Sequence, residues 1–103
     1  MFIGEVIGTV VATRKTANME GLALRLVRKI NTDTTPTTTY VVAVDLLGAD
    51  SGELVLVSSG SAARQTKPTD NRPVDAIVMA IVDTWQTHDK VQYTKAAQPL
   101  AAN

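Results

Sequence analysis

Five short runs of β-branched and aliphatic residues, each cut off by glycine, proline or a polar turn, limit this chain more than any other feature. In residues 2–13, Val6, Val10 and Ala12 share one parity and Ile3, Ile7 and Val11 the other. That pattern predicts a long strand partly covered on both faces. Gly4 and Gly8 lie on one parity within it, which inside a strand marks a bend or a close backbone approach. Leu22, Leu24 and Leu26 alternate with Ala23, Arg25 and Val27 in a second strand running to Ile30. Tyr40, Val42 and Val44 oppose Val41 and Ala43 in a third, which ends at Asp45. Leu54 and Leu56 oppose Val55 and Val57 in a fourth, and residues 76–82 form a fifth that is apolar on both parities.

The segments between the runs read as turns. Residues 14–21 are polar and end in Gly21, and residues 65–73 are polar with two prolines. The threonine-rich stretch 31–39 predicts a hairpin whose arms continue the flanking strands, because threonine favours extended backbone. Only residues 61–64 and 73–76 look able to form a helical turn. Five strands in 103 residues fit an all-β fold, a small five-stranded OB-like barrel with short helical turns. A β-sandwich is the second choice. In the tail, one strand-like piece (VQY) precedes the small-residue ending AAQPLAAN, and such a tail frays or docks on a neighbour.

Composition removes several functions. Ten basic and ten acidic residues give zero net charge, against the basic surplus of a nucleic-acid binder and without repulsion between copies. With no cysteine there is no disulfide framework, no thiolate chemistry and no soft-ligand zinc cluster. The start MFIGEVIG lacks the basic region of a signal peptide, and no segment has the ~20 apolar residues needed to span a bilayer. A soluble cytoplasmic protein without membrane partners is expected.

Chemistry was sought in GADSGELVLVSSGSAAR, where glycines and serines flank a strand and an arginine follows. A phosphate cradle requires GxxxxGK[ST] leading into a helix, and neither the lysine nor the helix is there. A serine nucleophile requires a base, but His88 is the only histidine and GxSxG is absent. Asp45, Asp50, Glu53, Asp75 and Asp83 stand at strand ends or turns, where carboxylates commonly accept backbone N–H bonds. No calcium-loop spacing is present. Phe2, Tyr40, Trp85 and Tyr93 are too scattered for a base-stacking platform, and Trp85 and Tyr93 read as packing anchors. No catalytic, cofactor or metal residue emerges. Glycine-capped turns, small apolar residues and a neutral charge suit self-association.

The blocks GTVVATRKT, VAVDLLGAD, GELVLVSSGSAAR and RPVDAIVMAIVD, with Gly21 before LALRLV, give the chain a clear relationship. It resembles the CcmL/EutN family, the pentameric vertex proteins of bacterial microcompartment shells, over residues 1–83. DNRPVDAIVMAIVDT and VQYTK are most similar to the carboxysome branch. Asp50, where glycine is commoner, and Met19-Glu20 before Gly21 depart from the family pattern.

The resemblance implies a barrel in residues 1–83, a C-terminal extension in 84–103, and a non-enzymatic homopentamer. A closed shell needs five-fold tiles at its corners among six-fold ones, so hexameric shell proteins are implied partners, in a shell within the cytoplasm. By resemblance, Ser59, Gly60, Ser61 and Arg64 lie near subunit contacts or the five-fold axis. Glu53, Asp75 and Asp83 are the candidate carboxylate partners of Arg64. The alternatives are a vertex of a catabolic microcompartment and a single-strand nucleic-acid module.

Overall fold

The computed structural model describes residues 1–95. Seven strands follow in order: β1 (Phe2–Val10), β2 (Leu24–Ile30), β3 (Pro36–Asp45), β4 (Leu54–Ser59), β5 (Ala76–Ile81), β6 (Thr84–Thr87) and β7 (Lys90–Thr94). The first five close into a barrel in the order β1–β2–β3–β5–β4, and β6 and β7 form a separate two-stranded sheet. The expected five-stranded barrel is therefore the body of the molecule. Barrel neighbours are antiparallel except β3 and β5, which run parallel and pair only at Val44–Ile77 and Asp45–Val78.

The two glycines of β1 do different work. A Cβ at Gly4 would collide with the side chain of Val27 on β2, so glycine lets these strands close around the core. At Gly8 the surroundings are open, and here the β1–β2 register shifts between Val6 and Gly8. That irregularity bends the strand around the barrel. Between β2 and β3 the threonine-rich segment forms the expected hairpin. Asn31 N–H donates to the Thr35 carbonyl at 2.8 Å, Thr34 adopts φ 73°, and Ile30 pairs with Pro36.

Alternation sorts the side chains into an interior and two outer clusters. Val6, Val27, Ala43, Val55, Val57 and Val78 point inward with Ala49 and Ala76, a core of small side chains suited to a narrow barrel. On the outside, Leu22, Val44, Ala63, Val74 and Ile77 gather on one flank, with Met19 and Leu24 against them. On another, Ile30, Leu54 and Tyr93 gather with Ile3, Val82 and Trp85.

Two expectations need correction. The helical turn expected at 61–64 is present as the 3₁₀ turn Gly60–Arg64, but residues 73–76 form none; further 3₁₀ turns occupy Ala17–Met19 and Lys67–Thr69. The backbone at 73–76 is engaged elsewhere, the Val74 carbonyl accepting from Arg64 Nη1 and the Asp75 carbonyl accepting the Gly60 N–H. A turn does form at Lys67–Thr69, where the Thr66 N–H reaches the Thr69 hydroxyl at 3.4 Å. The VQY piece is also not solitary. It pairs with β6 across a tight turn in which His88 and Asp89 both have positive φ, 50° and 63°. This sheet packs on its own barrel through Tyr93 and Trp85. Residues 96–103, the AAQPLAAN ending, lie outside the described residues.

Candidate subunit interface

Ser59, Gly60, Ser61, Arg64 and Asp75 come together at one corner of the barrel. β4 ends at Ser59, and Gly60, with φ 63°, turns the chain into the 3₁₀ turn. The Gly60 N–H donates to the Asp75 carbonyl at 2.8 Å, which ties this turn to the start of β5. Ala63 is fully buried in the outer cluster with Val44 and Ile77, so the turn cannot rotate without emptying that cluster. Ser59, Gly60, Ser61 and Ala62 are left exposed.

Arg64 is half-buried and faces its own chain. Its Nη1 donates to the Val74 carbonyl at 3.0 Å. Among the described residues it forms no ion pair. One guanidinium edge is thus anchored while Asp75, beside it, exposes its carboxylate.

Glu53 and Asp83 lie elsewhere, at the base of the β6–β7 hairpin. The Glu53 carboxylate is buried, accepts the Asp50 N–H at 2.6 Å and pairs with the Lys95 ammonium. These two bonds, the backbone one first, hold its carboxyl below the ordinary carboxylate range. The same contact raises the Lys95 ammonium. Exposed Asp83 offers its backbone carbonyl to the Lys95 N–H at 2.7 Å. The candidate carboxylates therefore fall into two places, and Glu53 is engaged within its own chain.

The most heavily bonded carboxylate is Asp45, noted in the sequence only as a turn residue. Its oxygens accept the N–H groups of Leu47 at 2.9 Å, Gly48 at 3.1 Å and Ala49 at 2.8 Å. Arg25 Nε sits 3.1 Å from the same buried carboxylate. The turn after β3 is thereby fixed, and it carries Leu46 and Leu47 on its outside.

Sequence reasoning also missed an apolar outer surface. Tyr40 (50%), Val42 (46%), Leu46 (40%), Leu47 (49%) and Met79 (43%) all retain substantial exposure. Their strand parity was legible, but which parity faces solvent depends on barrel closure, which no local pattern encodes. A groove of about 200 Å³ opens beside Val42, lined by Met19, Leu24, Val44, Pro73, Val74 and Ala76, with Asp75 as its one charged residue.

Among the described residues no three His, Asp or Glu side chains come together as the ligands of a metal ion would. His88 stands on the exposed β6–β7 turn. What the fold does display is anchored backbone, small exposed residues and exposed apolar side chains.

The chain is similar to known proteins over most of its length. The carboxysome shell vertex protein CcmL of Synechocystis is 43% identical over 92% of this chain and 95% of its own. The solved structure of Gloeobacter violaceus CcmL superposes with a TM-score of 0.90 at 43% identity, over 93% of this chain and 99% of that one. The GrpN pentameric microcompartment shell protein from Rhodospirillum rubrum gives a TM-score of 0.74 at 41% identity, over 84% and 98% of the two chains. Residues 1–83 match the family described as ethanolamine utilisation protein EutN/carboxysome, and the chain belongs to that EutN/CcmL family.

Proposed function

We infer that this chain is a structural, non-enzymatic tile that assembles as a homopentamer and caps the vertices of a bacterial microcompartment shell, in the carboxysome branch. The observation that carries the branch is the extent of similarity. The carboxysome CcmL structures superpose with TM-scores of 0.88–0.90 at 43% identity, against 0.81–0.83 at 34–35% for EutN structures and 0.74 at 41% for pentameric GrpN. Hexameric shell proteins of the same compartment are the further partners, and the shell lies in the cytoplasm. Residues 1–83 are the tile and 84–103 an extension on it. The 41% identity to GrpN supports a second reading, a vertex of another microcompartment type. Co-purified cargo separates the two, RuBisCO for a carboxysome and aldehyde-processing enzymes for a catabolic compartment.

Within the ring, exposed Ser59, Gly60 and Ser61 allow close backbone approach. The Arg64 edge not turned to Val74 points to an exposed carboxylate, Asp75 or Asp83, of the next copy. Glu53 belongs to this contact only through the hairpin base it anchors. Native mass spectrometry of the full chain at micromolar concentration tests the assembly. Five copies are expected, and a lone chain overturns the reading. Arg64→Ala should lower the ring's resistance to dissociation by about tenfold or more. An Arg64→Ala ring of unchanged stability removes Arg64 from the contact.

A further inference from the structure

We propose that the outer wall of β2 and β3, with the groove beside Val42, receives the Leu46–Leu47 turn and Met79 of a second copy of this chain. The proposal rests on the ring reading above and specifies its contact.

The wall follows from parity. Val27 and Ala43 point into the core, so their neighbours Leu26 and Val42 point out. Leu26 pairs with Val42 on one side and with Gly8 on the other. Nothing lies within 4 Å of the place a Cβ would take at Gly8, so this rung is open and dented. At one end of the wall Leu24 and Val44 pack in one outer cluster, and at the other Ile30 packs beneath the hairpin. The middle, with Val42 and Tyr40, is left uncovered by the chain itself. The rung Gly8–Leu26–Val42 carries no charge, and the neighbouring Glu5 and Arg28 neutralise each other at 2.8 Å. Such a wall suits an uncharged patch, and the exposed Leu46, Leu47 and Met79 of this chain supply one.

The protrusion is equally defined. Asp45 fixes the turn through three backbone N–H bonds, so docking Leu46 and Leu47 costs little ordering. On β5 the register passes from Val57–Val78 to Leu56–Ala80, which leaves Met79 as the unpaired residue of a bulge. Bulges re-aim side chains, and this one leaves an unbranched, adaptable methionine exposed. A groove of about 200 Å³ accepts one such apolar side chain, since an apolar cavity of roughly 150 Å³ holds a benzene ring. The groove alone falls well short of the ~800 Å² per partner of a stable contact, so the wall around Val42 must be covered with it. Wall and turn are different patches of one chain. A head-to-tail contact of that kind closes by rotation into a ring.

Val42→Glu and Leu47→Glu test the pairing, each at an exposed position where circular dichroism and melting should stay close to the parent. Alone, each should raise the concentration for half-assembly by about 100-fold or more. Mixed in equal amounts they should form a two-chain species, because the Val42→Glu chain keeps its turn and the Leu47→Glu chain keeps its wall. A single variant that assembles like the parent overturns the proposal, and so does a mixture that stays monomeric. A parent chain that is itself monomeric overturns the ring reading instead. Should either glutamate variant misfold, Tyr40→Ala and Met79→Ser probe the same two surfaces.

Discussion

On one flank of the barrel, the loops fold back and pack Leu22, Ala63 and Val74 against Val44 and Ile77. On another, the β6–β7 hairpin folds back and packs Tyr93 and Trp85 against Ile30 and Leu54. The first cluster uses small side chains from segments tied at both ends to barrel strands. Val44 and Ile77 also face each other across the parallel pair that closes the barrel. The second uses two large rings, stacked at 5.0 Å with 24° between their planes. Few further bonds hold it: Trp85 Nε1 to the Thr32 carbonyl at 2.8 Å, Lys95 to Glu53, and the Val82 N–H to Leu54 at 2.8 Å. One flank is knit into the closure of the fold, while the other is attached to its outside. The first therefore opens with the whole domain and the second can open alone.

Three measurements probe that difference, from the largest effect to the smallest. Ile77→Ala empties a fully buried site and should cost about 2–5 kcal/mol, lowering Tm by about 10 °C or more. Barrel and hairpin signals should be lost together; a hairpin that keeps its protection after the barrel melts contradicts the comparison. Trp85→Ala removes the ring stack and the bond to Thr32, worth about 1–3 kcal/mol of hairpin docking. Hydrogen exchange should then rise through β6 and β7 with barrel amides unchanged, and a uniform rise would join the two units. The smallest effect is acid. Glu53 is held below the ordinary carboxylate range, first by the Asp50 N–H and then by Lys95. Its contribution is present above that range and lost as pH falls through the depressed value. Hairpin exchange, corrected for intrinsic rates, should accelerate below about pH 4 in the parent. Lys95→Met should remove the part of this step that the ion pair carries, and an identical acid profile in the variant detaches the ion pair from docking.

Much of the barrel was legible because its signals are local. Val6, Val27 and Val55 alternate with outward residues, and Gly4, Gly8 and Pro36 mark bends and turns where the chain makes them. The β6–β7 turn was not legible, because His88-Asp89 is not the glycine-bearing pair that usually signals such a hairpin. The GSAAR corner could be found as a turn with an arginine. That Arg64 takes the Val74 carbonyl across the intervening loop, and that Lys95 takes Glu53 from 42 residues away, are contacts between separate segments. Nothing in a residue's own neighbourhood encodes such a pair. The exposure of Val42 and Met79 was hidden for a related reason: a bulge and a closure decide which way they face.

The seam between β3 and β5 has a mechanical consequence. β1 and β2 are paired at six positions and β3 and β5 at two, so resistance to shear around the wall is uneven. A load applied across the tile is taken up first along this line, where slipping one strand past the other breaks the fewest bonds. Slippage there would carry Val44 and Ile77, which face each other across the seam, and would loosen the loop-side cluster together with the barrel wall.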